Sequence, residues 1–276
     1  MGLRVSSSQT LAQGIIRAMR QTQGESNRAL MQLSSGERFS TAGEDTAGFT
    51  ISESLKSQVK GVRASRMNAD NAISFVQVAE GSMNEQSNLL IRLKEIAIQA
   101  ASDPMAANER EVLNEEFQGL LLEIDRIAKT TRYGSSQLLT GSGKKFEVQV
   151  GADSAKENIV RYSLDADTSA DGLDISDLEV SDQDDAVDSI KDLDEALKKL
   201  SMARASFGAL QARLQHAVDH LQSNEVELET ARSKIADTDM ADAVSRMTKA
   251  KIQTSFQVAT LAQAHVGLES ALKLLN

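Results

Sequence analysis

Apolar residues recur at alternating spacings of four and three through most of the first half of the chain. The series runs from Leu55 to Ala97, with polar interruptions such as Glu80 and Lys94. This heptad pattern predicts one long helix whose apolar seam packs against a second helix. A continuous helix over residues 48–99 would be roughly 75 Å long at about 1.5 Å per residue. The seam consists of Leu55, Val59, Val62, Arg66, Ala69, Ile73, Val76, Glu80, Met83, Ser87, Leu90, Lys94 and Ala97.

The same spacing returns between Val187 and Ile235 and predicts a second rod of about 50 residues. Because the two seams have similar lengths, we expect the rods to pack against each other in one bundle. The first rod stops at residues 102–104, where Asp103 can cap a new helix and Pro104 can occupy its first turn. The second seam consists of Val187, Ile190, Leu193, Leu197, Leu200, Arg204, Phe207, Gln211, Leu214, Val218, Leu221, Glu225, Leu228, Arg232 and Ile235.

The middle of the chain lacks helical periodicity. Phe146, Val148 and Val150 alternate with polar residues, and residues 159–164 alternate again, which predicts a small β-hairpin. Residues 163–197 contain thirteen Asp or Glu residues against a single Lys. We expect this acidic stretch to be a solvated loop that faces outward.

Shorter amphipathic segments lie outside both rods, near the two ends of the chain. Each has an apolar stripe that a lone helix cannot bury, and isolated helices of this kind are marginal in water. We expect these segments to be disordered in the monomer and to become ordered against other copies; the alternative is that they fold back on their own rods. The residues expected to carry self-assembly are Leu11, Ile15, Met19, Val258, Leu261, Leu268, Leu272 and Leu275.

The predicted fold is therefore mainly α. It is a long antiparallel helical rod bundle of the N- and C-terminal halves, with a small β-hairpin region and terminal coiled-coil helices. Residues 1–42 together with 238–276 are predicted to form the terminal helices, and residues 43–237 the rod domain. Within the rod domain we expect helices at about residues 43–101, 104–129 and 184–236 and the β-hairpin region at about residues 140–180.

Composition and charge disfavour several classes of function. The net charge of −10 and the pI near 4.9 argue against nucleic-acid binding, which usually needs a basic face. Membrane insertion is not expected, because no apolar run approaches the roughly 20 residues that span a bilayer. Residues 1–20 also lack the apolar core of a cleaved signal peptide. The chain has zero cysteines, so disulfides and thiolate metal sites are excluded.

Candidate catalytic and metal-binding motifs are incomplete. His216 and His220 share a helical face, but the glutamate and the third ligand of a zinc site are missing. Residues 141–145 lack the full pattern of a phosphate-binding loop. Residues 167–178 begin like a calcium loop but end in Leu178, where calcium needs a bidentate glutamate. We expect no cofactor and no enzymatic activity.

The break before the first rod, residues 33–48 (LSSGERFSTAGEDTAG), resembles the N-terminal signature of bacterial flagellins. Within it, Gly36 can end the terminal helix, and Thr41 with Glu44 can form a capping box for the next helix. Further blocks similar to this family follow in the same order along nearly the whole chain, and their number makes the resemblance specific. They lie at residues 69–74, 79–83, 93–101, 123–128, 148–153, 208–214, 231–239, 261–264 and 272–275.

The resemblance implies a structural subunit that polymerises into the flagellar filament for swimming motility. The terminal helices would form the inner tube and the rods the surrounding wall, in a short form without outer variable domains. The implied partners are further copies in a helical filament, a flagellin export chaperone, and the filament cap and hook-associated proteins. The implied localisation is the extracellular filament, reached by export in an unfolded state through the flagellar secretion channel.

Arg92, Glu95 and Glu116 match positions through which the vertebrate flagellin-sensing Toll-like receptor contacts members of this family, so this receptor is a further candidate partner. Two alternatives stay open. A hook-filament junction protein would share both terminal regions, and a cytoplasmic coiled-coil adaptor would explain the heptads but not the collinear blocks.

Overall fold

The computed structural model describes residues 2–39 and 41–273, with side chains described for residues 10, 12–39, 41–264 and 266. Five α-helices dominate these described residues, and the prediction of a mainly α fold is confirmed. The helices are α1 (Gly2–Ser35), α2 (Thr46–Ala100), α3 (Ala107–Thr130), α4 (Gln183–Ala236) and α5 (Met240–Lys273). The strands are β1 (Arg132–Tyr133), β2 (Ser136–Gln137), β3 (Lys145–Gln149) and β4 (Ile159–Ser163).

The chain forms two compact units. The terminal unit comprises Met1–Gln58 and Glu227–Asn276, and the rod unit comprises Val59–Val226. The terminal unit thus includes α1, α5, the first turns of α2 and the last turns of α4.

Ion pairs show how α2 and α4 are arranged in the rod unit. Arg63 binds Glu225 at 2.8 Å, and Lys94 binds Asp194 further along α2. The same number of residues separates the two pairs on each helix. The helices are therefore antiparallel and keep one register over this distance.

Large apolar side chains fill the space between the helices of the rod unit. Met83 and Leu90 of α2, Phe117 and Ile124 of α3, and Phe207 of α4 are all fully buried in one core. Burial of a side chain of this size contributes roughly 1.5–3 kcal/mol. The rod unit therefore contains a hydrophobic core of its own.

One column of each predicted rod seam is largely buried. At several positions of the second column the buried residue is the one just before the predicted residue, although Val59 is buried as predicted. In α2 the charged Glu80 and Lys94 are only half-buried, and the residues just before them, Ala79 and Leu93, are buried instead. Successive residues of a helix lie about 100° apart around its axis. A rotation of α2 by this angle buries the uncharged neighbour and leaves the charged group in contact with water, which avoids the cost of burying a charge. The buried second column of α2 includes Ser65, Ala79, Gln86, Leu93 and Ala100.

Helix α4 shows the same displacement. Leu193, Leu200 and Phe207 are buried as predicted, but Val187 is exposed and Ala186 takes its place in the core. The side chain of Leu197 is half-buried, whereas that of Ala196 is buried.

The strands β3 and β4 pair antiparallel, with Phe146 opposite Tyr162 and Val148 opposite Val160. The shorter pair β1–β2 was not predicted, because strands of two residues carry no alternating pattern. The acidic stretch is not simply an outward loop: its carboxylates are mostly exposed, but Leu173 and Ile175 are buried in the rod core.

Two predicted helix starts are wrong. Helix α3 begins at Ala107, after Pro104, and the Glu109 carboxylate accepts a hydrogen bond from the N–H of Ala106. Asp103 does not cap this helix, because Ala106 occupies the N-cap position. The Asp103 carboxylate instead accepts a hydrogen bond from Gln183.

Helix α2 likewise begins after the capping box predicted at Thr41 and Glu44. Asp45 caps it by accepting a hydrogen bond from the N–H of Gly48 at 3.0 Å. Glu44 instead forms an ion pair with Arg28 at 2.9 Å.

Candidate assembly surfaces

The two terminal helices, α1 and α5, pair with each other in the terminal unit. Gln257 donates a hydrogen bond to the Thr22 hydroxyl at 3.0 Å, and Arg246 donates one to Gln32 Oε1 at 3.1 Å. Residue numbers rise along α1 as they fall along α5, so the pair is antiparallel. Cα atoms of the two helices approach within 8 Å of each other.

Small and polar residues form the seam between α1 and α5. Among the described side chains of these two helices, the buried ones are Thr22, Ala29, Gln32, Ala243 and Ala250. Small side chains let two helix backbones approach closely, but each contributes little hydrophobic free energy, because a buried CH₂ group is worth about 0.8 kcal/mol. The seam is closely fitted and only weakly hydrophobic.

Helix α5 has a second apolar face that its pairing with α1 leaves exposed. Phe256 is 71% exposed and Ile252 57% exposed, and both lie on the side of the helix away from the buried Ala243 and Ala250. A helix that is apolar around most of its circumference is normally buried on more than one side. The exposed face of α5, defined by Ile252 and Phe256, is therefore a candidate contact surface.

The predicted self-assembly residues fall into three groups. Ile15, Met19 and Leu261 are half-buried on the sides of α1 and α5 that also carry the seam, and Val258 is exposed. The side chains of Leu11, Leu268 and Leu272 lie outside the described residues, and so does the whole of Leu275. Sequence reasoning missed Ile252 and Phe256, although an apolar pattern on several faces of one helix would have pointed to them.

The connection from α1 to α2 is joined to the connection from α4 to α5 by backbone hydrogen bonds. The N–H of Arg38 donates to the carbonyl of Ala236 at 2.6 Å, and the N–H of Thr238 donates to the carbonyl of Gly36 at 2.9 Å. We call residues 36–39 and 236–238 the linker clasp. The positive φ of Gly36, 73°, lets the chain leave α1 at this point.

The residues that carry the family resemblance shape this corner of the terminal unit. Phe39 is buried, and the guanidinium carbon of Arg38 lies 4.7 Å from the centre of its ring. A Cβ atom at Gly48 would lie 2.7 Å from Phe39 Cζ and 2.8 Å from Asp45 Oδ2. Only a residue without a side chain fits there unless its neighbours move.

Arg92, Glu95 and Glu116, the predicted receptor contacts, meet on the exposed surface of the rod unit. Arg92 binds Glu116 of α3 at 2.9 Å and Glu95, one turn along α2, at 3.1 Å. The hydrogen bonds to Glu116 and then to Glu95 raise the pKa of Arg92 above its ordinary value. The three side chains therefore form one charged surface cluster that also joins α2 to α3.

Two long regions of the chain match one protein family. Residues 7–144 match the bacterial flagellin N-terminal helical region, and residues 190–275 match the bacterial flagellin C-terminal helical region. The chain belongs to the bacterial flagellins. It is a structural subunit of the flagellar filament and not an enzyme, and its filament is an extracellular homopolymer.

Full-length relatives and solved structures agree with this assignment. The chain is 34% identical to a flagellin of Halalkalibacterium halodurans, over 91% of this chain and 92% of the relative. It is 31% identical to flagellin FlaB1 of Treponema pallidum, over 94% of this chain and 96% of the relative.

Among solved structures, Bacillus cereus flagellin aligns with a TM-score of 0.51 at 28% identity, over 56% of this chain and 88% of that one. A putative flagellar hook-associated protein of Vibrio parahaemolyticus aligns with a TM-score of 0.58 over 70% of this chain and 100% of that one. At 12% identity, the latter shows a shared fold alone.

An apolar cavity of about 400 Å³ lies between the β3–β4 hairpin and helices α2 and α4 of this flagellin. Phe75, Phe146 and Tyr162 line it, and burial raises the pKa of the Tyr162 phenol above its ordinary value. The carboxylate of Glu147, also at the cavity, is bound by Arg161 at 2.8 Å. These lining residues supply packing surface and not an activated acid, base or nucleophile.

Within the described residues, no cluster of three or more His, Asp or Glu side chains could hold a metal ion. His216 and His220 are exposed on α4. No helix in the described part of the chain is long and apolar enough to cross a membrane.

Proposed function

We propose that the terminal unit makes the innermost subunit contacts of the flagellar filament, with the exposed face of α5 packed against neighbouring copies. The observation that carries this proposal is the exposure of Phe256 and Ile252 on a helix whose opposite side is already occupied by α1. In a homopolymer, a neighbouring copy is the surface available at the highest local concentration. Burial of these side chains would contribute roughly 1.5–3 kcal/mol each.

The same reasoning supports marginal stability of the terminal helices before assembly. Their mutual seam consists of small and polar side chains, so pairing recovers little of the conformational entropy that ordering two long helices removes. We propose that residues 1–42 and 238–276 are largely disordered in the free subunit and form one domain when neighbours cover them. Residues 43–237 then form the wall of the filament.

Export and incorporation would require further partners. An export chaperone would bind the apolar face of α5 as a helix in a groove and protect it from aggregation. Subunits would travel unfolded through the flagellar secretion channel. They would add at the filament tip, in contact with cap and hook-associated proteins.

Recognition by the vertebrate flagellin-sensing Toll-like receptor is a second proposal, carried by the cluster of Arg92, Glu95 and Glu116. The three side chains are exposed together on the rod unit and present one cation with two carboxylates. Arg92→Ala should lower receptor activation by free subunits if the cluster is a contact. Unchanged activation would remove these residues from the receptor site.

Polymerisation of purified subunits tests the main proposal. The double variant Ile252→Ser with Phe256→Ser should raise the subunit concentration needed for filament growth by about tenfold or more, because two buried apolar groups are lost. Leu122→Ser is the matched control, since Leu122 is 71% exposed on α3 of the rod unit. Equal effects of the two changes, or normal growth of the double variant, would contradict the proposed contact surface.

A truncation separates assembly from folding. Deletion of residues 241–276 should abolish polymerisation, because it removes almost all of α5. The rod unit should retain its helical circular dichroism signal and its unfolding transition. Normal filaments from the truncated chain would overturn the assembly role of α5.

A further inference from the structure

The seam between α1 and α5 contains two polar contacts at which the helices are held side by side. We propose that the pairs Thr22–Gln257 and Gln32–Arg246 select a single register between the terminal helices, and so determine which register each subunit brings into the filament. This inference rests on the proposed role of the α1–α5 pair in assembly. It assigns the choice of register to four named side chains.

The buried alanines of the seam select a register only weakly. Ala29, Ala243 and Ala250 are buried there, and alanines spaced seven residues apart offer nearly the same surface after a shift of one heptad. Such a shift moves a helix by about 10 Å along its partner. These alanines therefore fit almost equally well in neighbouring registers.

The polar side chains of the seam would lose their partners after such a shift. Thr22 is buried, and Gln257 reaches its hydroxyl at 3.0 Å. Within the described part of the chain, Gln257 Oε1 is a buried atom without a hydrogen-bond partner, so this amide is only half satisfied in the observed register. A shift by one heptad would place an alanine beside Thr22 and leave the amide fully unsatisfied, which is costly for a buried polar group.

The pair Gln32–Arg246 connects the register of the two helices to the linker clasp. Gln32 is buried, accepts from Arg246 at 3.1 Å and donates to the carbonyl of Arg38 at 2.7 Å. Arg246 is in turn oriented by Asp242, one turn earlier on α5, at 2.9 Å. The register of α5 on α1 is therefore fixed relative to the point where both helices join the rods.

Polar residues in a helical seam commonly specify pairing at some cost in stability. Thr22 and Gln257 lie about three turns from Gln32 and Arg246 on their respective helices. Two polar contacts at this separation can be satisfied together in only one register. This arrangement suits a chain whose terminal helices must find the same alignment in every subunit of a polymer.

Engineered cysteines provide a direct test, because the natural chain has zero cysteines. The register defined by the two polar contacts places Ala29 beside Ala250. A shift of one heptad would place Ala29 beside Ala243. Oxidation of assembled filaments should cross-link the pair Ala29→Cys/Ala250→Cys but not the pair Ala29→Cys/Ala243→Cys. Cross-linking of the shifted pair in this otherwise natural background would overturn the proposal.

The polar contacts are then removed with substitutions of similar volume. In a background with Thr22→Val, Gln257→Leu, Gln32→Leu and Arg246→Leu, we expect cross-linking of the shifted pair to rise by about tenfold or more. The control background carries Gln23→Leu and Gln253→Leu, because both glutamines are exposed on the same helices. The control should give the natural cross-linking pattern.

Every other outcome counts against the proposal. An unchanged shifted yield in the apolar background would show that another feature sets the register. Loss of both cross-links would show that the polar pairs hold the helices together and do not select their alignment. Electron microscopy of the same samples separates these results from a failure of the assembly proposal, because filaments form or fail to form independently of which cysteines react.

Discussion

The rod unit and the terminal unit both depend on seams between antiparallel helices, but the seams differ in kind. In the rod unit, Phe117, Phe207 and Met83 fill the space between helices and are fully buried. Between α1 and α5 the backbones come closer, and the buried side chains are alanine, threonine and glutamine.

A heptad pattern can therefore produce two kinds of seam with different roles. A seam of large side chains contributes several kcal/mol of burial and can keep a unit folded in isolation. A seam of small and polar side chains contributes close fit and a defined register, but its stability must come from elsewhere. We propose that neighbouring copies supply that stability at the exposed face of α5.

Removal of a large side chain from the rod seam gives the largest expected effect. Phe117→Ala should lower the free energy of unfolding by about 3–5 kcal/mol, because it leaves a cavity at a fully buried position. Denaturant titration followed by circular dichroism measures this change. Leu122→Ala on the same helix is the control and should change stability by no more than about 0.5 kcal/mol.

In the seam between α1 and α5, replacement of a small side chain by a large one should impair polymerisation. Ala250→Leu adds volume where two backbones lie close together, and overpacking of this kind costs about 1–3 kcal/mol. We expect impaired polymerisation with an unchanged unfolding transition of the rod unit. Ala18→Leu, at an exposed position of α1, is the control. Normal filament growth of Ala250→Leu would contradict the close fit of the seam.

The ion pair between Glu225 and Arg63 should give an intermediate effect. The Glu225 side chain is 11% exposed and Arg63 and Arg66 lie beside it, so Glu225→Gln should destabilise the rod unit by about 1–2 kcal/mol. Glu147→Gln removes a comparable partner from Arg161 on the surface of the β3–β4 hairpin, and its effect should stay below about 0.5 kcal/mol. Thermal unfolding of both variants measures the difference. Equal losses would show that burial of Glu225 does not strengthen this pair.

The sequence predicted the helices, the hairpin and one column of each seam, because these depend on periodicity. It did not predict the second column, since hydrophobic patterns favour large residues and give little weight to alanine. Val187 was therefore placed in a seam, whereas the structure buries Ala186 and leaves this valine exposed. The missed residues have small side chains, which let two helix backbones approach each other closely.

Helix starts were also poorly predicted, because competing partners decide them. Asp103 has the chemistry of a cap, but the helix begins at Ala107, and Gln183, distant in sequence, donates a hydrogen bond to the Asp103 carboxylate. Glu44 was assigned to a capping box and is bound by Arg28 instead. Contacts between residues far apart in the chain are not visible in local sequence patterns.

Hydrogen–deuterium exchange of the free subunit and of the assembled filament is the most direct test of the central claim. If the terminal seam is completed by neighbouring copies, amides of α1 and α5 should exchange rapidly in the subunit and slow by about a hundredfold or more in the filament. Amides of α2, α3 and α4 within the rod unit should be protected in both states. Terminal helices as well protected as the rod unit in the free subunit would contradict the account.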